Sequence, residues 1–362
     1  MKIAFFTDTY KPQVNGVVTS VALFAKELRK RNSVYIFSPS GVVGERHCYP
    51  SPSVPFPMYA GYRVGLPYNL IGKKFTELGV DIVHVHSPFT MGMAGMAMAK
   101  RRKIPIVGTF HTMFSDYLHY LMPNFLIRNS AVHGTAKSLA WAALRAFYNR
   151  CDAVVAPSKA VARVLAKHGI KNVRVIPTGM DFAKHDYTKG MKRRLGITGR
   201  MALHVGRVTK EKRIDFLMNA LSRVNATLVV ASDGPIKKEL ERRAGKNVLF
   251  TGYLRDEELR GLYREADAFV MASRSETQGL VLLEAASYGV PCVVLNTPVI
   301  SDFVRENRIG AVATEEGFAN AVKSMLKSGK RADTRALKKK YSIGKCAEEL
   351  ERLYRELLHY SQ

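Results

Sequence analysis

The feature that most limits how this chain can fold is an alternation running its whole length, in which short β-branched or apolar runs are separated by helical patterns. Such runs occupy residues 2–7, 33–38, 81–86, 104–110, 152–156 and 173–176. Alternation of this kind means parallel strands joined by crossover helices. The pattern restarts at residues 201–205 and continues through 227–231, 248–251, 268–272 and 291–295, so a second sheet follows the first. At 362 residues the chain has the length of two ordinary domains. The expected architecture is therefore α/β, two Rossmann-like doubly wound domains facing a central cleft. The domains are placed at 1–180 and 181–342, with one short helix in the basic connector 190–200 and a final amphipathic helix, 343–362, packing back on the first domain.

A composition of 47% hydrophobic and 24% charged residues supports packed cores and argues against long disorder. No run approaches the ~20 apolar residues of a spanning helix, and residues 1–6 are too short for a signal core. Cys48, Cys151, Cys292 and Cys346 form no CxxC pair, which suits a reducing cytoplasm and suggests neither a disulfide framework nor a thiolate zinc site. No fixed-period repeat appears, which excludes a solenoid. The net charge is +26, with 23 Lys+Arg against 7 Asp+Glu in residues 1–180 and 33 against 23 in residues 181–362. That excess attracts phosphate polyanions, whether nucleic acid, anionic lipid headgroups or a phosphorylated small molecule.

Ligands of open α/β sheets sit beyond the carboxyl ends of strands, so the segments just after each strand are read first for function. After the first run, Asn15-Gly16 opens a helix, and Gly16 there lets backbone N–H groups approach an anion or simply serves loop geometry. After residues 201–205 come Gly206, Arg207 and, within Lys210-Glu211-Lys212-Arg213, Lys212. Arg207 and Lys212 together suit a diphosphate leaving group, one as a fork and one as a mobile point charge. After residues 268–272 come Glu276, Gly279, Leu280 and Glu284. The N–H groups of Gly279 and Leu280 would face an anion, and the two carboxylates would accept hydrogen bonds from sugar and ribose hydroxyls. Glu284 lies amid Leu282, Leu283, Ala285 and Ala286, a setting that buries it unless a ligand or cation answers its charge.

Glu276 and Glu284 in a Glu-x7-Glu arrangement, preceded by Gly206-Arg207 and Lys210-Glu211-Lys212, resemble the nucleotide-sugar site of family 4 glycosyltransferases, and the resemblance spans nearly the whole chain. It implies the B-type glycosyltransferase fold, transfer with retention of anomeric configuration, a nucleotide-sugar donor as co-substrate, no tightly bound cofactor and no required metal. It also implies that Glu284 holds ribose hydroxyls, Glu276 approaches the 3- and 4-hydroxyls of the sugar, and Arg207 with Lys212 neutralises the diphosphate. Residues 84–89, 109–120 and 55–67 further resemble bacterial diacylglycerol glucosyltransferases. This resemblance implies UDP-glucose as donor and a lipid hydroxyl as acceptor, on diacylglycerol or a dialkyl glycerol, with phosphatidylinositol, a sulfolipid precursor or a soluble sugar as alternatives. It places His111 near the reacting carbon, though not as a nucleophile. Ser232-Asp233-Gly234-Pro235, Pro177-Thr178-Gly179-Met180-Asp181 and the single Gly16 depart from the common family pattern.

Tyr117 and His119 are candidate acceptor contacts. Lys137, Trp141, Leu144, Arg145 and Tyr148 form one helical stripe, which reads either as an interfacial face on an anionic membrane or as a core face turned inward. The acid-poor first half favours a peripheral site on the inner face of the cell membrane. His84, His86, His111 and His119 read as packing or acceptor contacts ahead of a metal cluster, since no carboxylate or cysteine stands at ligand spacing. A nucleic-acid-binding protein is the rival from another class, but no reading signature or interleaved aromatic platform accompanies the charge, so no nucleic-acid partner is expected. A sugar-nucleotide epimerase of the same fold class is the second rival.

Overall fold

The computed structural model describes residues 1–41, 45–56, 63–66, 70–113, 130–183 and 185–360. The chain divides into two compact units, one made of Met1–Gly179 with Ile343–Gln362 and the other of Met180–Ser342.

In the first unit, strands β1 (Lys2–Phe6), β2 (Ser33–Ser38), β3 (Cys48–Pro50), β6 (Ile82–Val85), β7 (Ile106–Thr109), β8 (Ala153–Ala156) and β9 (Val173–Val175) form a seven-stranded sheet in the order β3-β2-β1-β6-β7-β8-β9. Every pairing in it is parallel. β4 (Ser53–Pro55) and β5 (Arg63–Gly65) make a small antiparallel pair. The central strands β6, β7 and β8 are buried along their whole length, as helices on both faces of a parallel sheet require.

The helix Ile343–Tyr360 belongs to this first unit. Its Ile343, Cys346, Leu350, Leu353 and Tyr354 pack against Ile3, Phe5, Val107 and Val155 of the sheet and against Val21, Phe24 and Leu28 of the helix Gly16–Leu28. On the opposite face Phe6 stacks on Phe37 with ring centroids 4.7 Å apart.

In the second unit, β10 (Met201–Val205), β11 (Thr227–Ala231), β12 (Val248–Gly252), β13 (Ala268–Met271), β14 (Cys292–Leu295) and β15 (Gly310–Ala313) run in the order β12-β11-β10-β13-β14-β15. All neighbours are again parallel. Alternate side chains of β10 feed two separate cores, Leu203 and Val205 one and Ala202 the other, so the sheet is covered on both faces. The segment at 190–200 contributes the short helix Met191–Arg194. Both sheets thus have the doubly wound α/β form. β3, the β4/β5 pair and β15 carry no clear sequence signal: β3, β4 and β5 are only three residues long, and β15 is a half-exposed edge strand.

Among the described residues no helix is long and apolar enough to cross a membrane. The stripe on the helix Ser130–Tyr148 divides by burial. Trp141, Leu144 and Tyr148 are core residues, with Trp141 stacked between Phe110 and His168 at centroid distances of 6.0 and 3.7 Å. The reading of Trp141 as a membrane contact is therefore corrected. An amphipathic helix turns its aromatic seam to the sheet it covers, and only Lys137 and Arg145 stay exposed at the margins.

Candidate active site

Each sheet has one place where the strand order reverses, between β1 and β6 in the first and between β10 and β13 in the second. Chain leaving the two strands diverges there, which opens a crevice at their carboxyl ends.

In the second unit, β10 leads into Gly206 and Arg207 and then the 3-10 turn Lys210–Lys212, while β13 leads through Ser273–Gln278 to the helix Leu280–Ser287. Sheet order brings these segments together although 64 residues separate Lys212 from Glu276. The Lys212 Nζ lies 2.5 Å from Glu276 Oε1, with both side chains less than one-fifth exposed. The backbone N–H of Arg274 donates to the carbonyl of Glu211 at 3.3 Å. Glu315, just past β15, clamps the same segments from outside, accepting both guanidinium nitrogens of Arg213 at 2.6 and 3.0 Å and one of Arg274 at 3.0 Å. Arg213, and after it Arg274, hold the Glu315 carboxyl down to about 2.

Gly279 caps the helix Leu280–Ser287 in the left-handed region at φ +79°, a conformation that a side chain would strain. The turn Ser232–Pro235 leans on the Gly206 loop: Val208 N–H donates to the Asp233 carbonyl at 3.0 Å, and a Cβ on Gly234 would stand 2.3 Å from the Val208 carbonyl oxygen. Glycine is what lets the two turns touch.

Glu284 is half-buried, and the answer to its charge is neither of those expected from sequence. The Tyr263 hydroxyl donates to Glu284 Oε2 at 2.8 Å, and Tyr263 is held in turn by stacking on Tyr288 at 5.7 Å. Burial raises the pKa of Glu284 and pushes the Tyr263 phenol far up. Burial also brings His204 down to about 4. Its Nδ1 donates to the Val270 carbonyl at 3.0 Å, while its Nε2 and the Ser273 Oγ are buried without a hydrogen-bond partner among the described residues. Tyr263, His204 and Glu315 escape sequence reasoning because tyrosine, histidine and glutamate at such positions look like ordinary core or surface residues.

In the first unit, Asn15 caps the helix Gly16–Leu28 by accepting from Val18 N–H at 3.0 Å, and a Cβ on Gly16 would meet nothing within 4 Å. Asp8, after β1, accepts from Ser87 Oγ at 2.6 Å, Thr90 Oγ1 at 2.8 Å and Met91 N–H at 2.9 Å. His84 and His86 stack at 4.1 Å, and His86 Nδ1 lies 3.0 Å from His111 Nε2. The nitrogens of His84 take the hydroxyls of Tyr354 and Thr109 at 2.5 and 2.6 Å, so this ring serves packing. Tyr117 and His119 lie outside the described residues.

The chain matches the model of Glycosyltransferase Family 4 over residues 14–184 and that of Glycosyl transferases group 1 over residues 199–328. It is 33% identical to an alpha-monoglucosyldiacylglycerol synthase of Streptococcus pneumoniae, covering 90% of this chain and 78% of that protein. It is 31% identical to the alpha-monoglucosyldiacylglycerol synthase of Acholeplasma laidlawii, covering 86% and 84%.

The chain belongs to glycosyltransferase family 4.

Its fold matches that of Anabaena HepE in complex with UDP-glucose, with a TM-score of 0.75 at 16% identity over 98% of this chain and 100% of the other. This glycosyltransferase is a hexose-transferring enzyme of the B-type fold.

Proposed function

We propose that the enzyme transfers glucose from UDP-glucose, with retention, onto the hydroxyl of diacylglycerol or a similar dialkyl glycerol at the inner face of the cell membrane. The observation that carries this reading is the Lys212–Glu276 pair, taken with two family relatives named as glucosyldiacylglycerol synthases over most of their length. The phosphate that Lys212 would neutralise and the sugar hydroxyls that Glu276 would hold belong to directly bonded parts of one donor. Two side chains 2.5 Å apart suit such neighbours. In the free protein they neutralise each other, and the donor would replace that mutual contact with two of its own.

Arg207 and the N–H groups at Gly279 and Leu280 would share the charge of the departing diphosphate, and Glu284, oriented by Tyr263, would take the ribose. The leaving phosphate itself would accept the proton of the acceptor hydroxyl on the face it leaves, with His111 close to the reacting carbon. Catalysis would rest on positioning and on charge stabilisation prepared in advance. No metal or tightly bound cofactor is invoked.

On the membrane side, exposed apolar residues take the place of the buried Trp141. Of the eight large apolar side chains exposed among the described residues, Val14, Val54, Leu66, Phe89, Met93, Leu139 and Val175 lie in the first unit and only Tyr253 in the second. A unit that exposes both apolar side chains and cations such as Lys137 and Arg145 would suit a headgroup boundary.

Labelled nucleotide sugars offered with diacylglycerol, dialkyl glycerol and phosphatidylinositol in mixed micelles test the reading. An α-linked glucolipid from UDP-glucose is expected, with nuclear magnetic resonance giving the anomer. A β-linked product, or product only on a soluble sugar, would overturn it, and product on phosphatidylinositol alone would transfer it to that acceptor.

A further inference from the structure

His86 is the fixed partner of His111. Both sit at the carboxyl edge of the first sheet, His86 directly after β6 and His111 two residues after β7, and their rings stack nearly parallel with centroids 5.3 Å apart. Behind them His84 is locked by Tyr354 and Thr109, and Phe5 packs edge-on against both His84 and His86 at 5.3 and 4.6 Å. The His86 ring is therefore held on one side by a stacked imidazole and on another by a phenyl ring, and has no room to turn.

Burial pushes His84 and His86 far below the ordinary imidazole range and His111 to about 3, so all three rings are neutral near pH 7. A neutral imidazole carries one proton on two nitrogens. Between His86 Nδ1 and His111 Nε2, 3.0 Å apart, one proton must lie, because two bare lone pairs at that distance repel and two N–H groups clash. If His111 donated, the remaining proton of His86 would sit on Nε2. That atom is buried and has no partner among the described residues. Either unpaired form costs about 1–3 kcal/mol, but a buried N–H without an acceptor is rarer in folded proteins than an acceptor without a donor. If His86 donates, its Nε2 is a bare lone pair and His111 must carry its proton on Nδ1.

We propose that His86 is a positioning residue that sets the tautomer of His111, so that His111 offers an Nδ1–H donor and never an Nε2–H. The proposal rests on the reading above in which His111 approaches the donor sugar, and it adds what His111 presents there: a hydrogen-bond donor suited to a hydroxyl oxygen and unable to act as a base through Nδ1. The substitution His86→Asn would keep the arrangement, since an asparagine amide nitrogen takes the place of a histidine Nδ1, whereas His86→Phe would keep the ring shape and lose the donor.

Two-bond proton–nitrogen correlation spectra of the 15N-histidine-labelled, unliganded protein at pH 7.5 read the tautomer directly, with His111→Gln assigning the signal. The wild-type spectrum is expected to show His111 protonated on Nδ1. His86→Asn should keep that pattern and most of the turnover. His86→Phe should move the proton to Nε2 or average it over both nitrogens, and lower kcat on the order of tenfold with KM for the donor changed less than about twofold, the size of one lost hydrogen bond. A wild-type His111 protonated on Nε2 overturns the proposal even if no variant folds, and so does an unchanged His111 tautomer in folded His86→Phe. Because the tautomer is read without substrate, its outcome is separate from that of the functional reading, which His111→Ala turnover tests.

Discussion

Where the first sheet reverses order, between β1 and β6, Asp8 has three donors from Ser87, Thr90 and Met91, and His86 is closed onto His111. At the matching place in the second sheet, between β10 and β13, the charged groups Lys212 and Glu276 remain partly open to solvent and pair only with one another in the hydrogen bonds described. The two crevices share a topology and differ in how their polar groups are spent. The first spends most of them on rigidifying its own loops and so holds His111 in place, and the second holds a charged pair ready for exchange. A doubly wound sheet fixes where a ligand can sit, and the residues at the reversal decide whether they frame the site or exchange contacts with its ligand.

The largest expected break of this contrast comes from the second crevice. Lys212→Ala and Glu276→Ala should each lower turnover at least about tenfold in folded protein, on the order seen when a transition-state charge contact is lost. The double variant should cost less than the product of the two, because each single change also strands the other charge. Full turnover in either single variant would remove the pair from the site.

At the surface, Phe89→Ser with Met93→Ser should weaken binding to anionic vesicles by about tenfold or more, the scale of losing two partly inserted apolar side chains. Tyr253→Ser in the second unit should leave it unchanged. Equal effects of both, in a sedimentation assay across a salt series, would break the assignment of the membrane face to the first unit.

Acid should separate the units next. The first carries three neutral imidazoles, His84 and His86 buried and His111 half-buried, and the second has the buried His204. Their folded pKa values lie below the unfolded one near 6.5, so the stability they contribute is complete above that pH and is lost as pH falls toward about 3 to 4. Each contributes up to about 1.4 kcal/mol per pH unit. Asp8, raised by burial, opposes this in the first unit, as Glu284 does in the second. Hydrogen exchange between about pH 7 and pH 5 should show protection falling faster in residues 1–179 than in 180–342. Parallel loss would contradict the burial-driven neutral state of the three rings.

The smallest effect belongs to Glu284. Its raised pKa means that ionisation costs stability, a penalty absent at low pH and present once pH rises above the folded value. Glu284→Gln keeps an acceptor for Tyr263 and removes the charge. The unliganded variant should melt a few degrees higher at pH 8, on the order of 0.5–2 kcal/mol, with the gain shrinking in acid, while losing affinity for UDP by at least about tenfold. A lower melting temperature at pH 8 would mean that the Tyr263 hydrogen bond more than offsets the cost of the partly buried charge.

The doubly wound fold was legible because period and spacing are local properties: the run at residues 2–7 becomes Lys2–Phe6, and that at 227–231 becomes Thr227–Ala231. Family membership was legible because its motifs follow the strand ends. What stayed hidden depends on partners distant in sequence. Tyr263 meets Glu284 from another helix, and Arg213 and Arg274 meet at Glu315 only because β10, β13 and β15 share a sheet. Trp141 was ambiguous for a further reason, since the same amphipathic stripe serves a membrane or a core and only the sheet beneath it decides.

Charge shows the same limit. Counted by chain halves the first looks short of acids, but the helix Ile343–Tyr360 returns four of them, giving 26 Lys+Arg against 11 Asp+Glu in the first unit and 30 against 19 in the second. Both units are then basic to a similar degree, and it is exposed apolar surface that distinguishes them.

The same returning helix has a consequence for synthesis. Domains emerging from a ribosome usually fold in order, amino-terminal first. Here the sheet face formed by Ile3, Phe5, Val107 and Val155 gains its cover of Ile343, Leu350 and Tyr354 only after the whole of the second unit has been made. The second unit has every strand of its sheet by Ala313 and its last helix by Tyr341, all before the covering helix. A nascent chain of this enzyme therefore leaves that sheet face uncovered until its last residues are made, and a ribosome stalled before residue 343 would leave it for chaperones to shield.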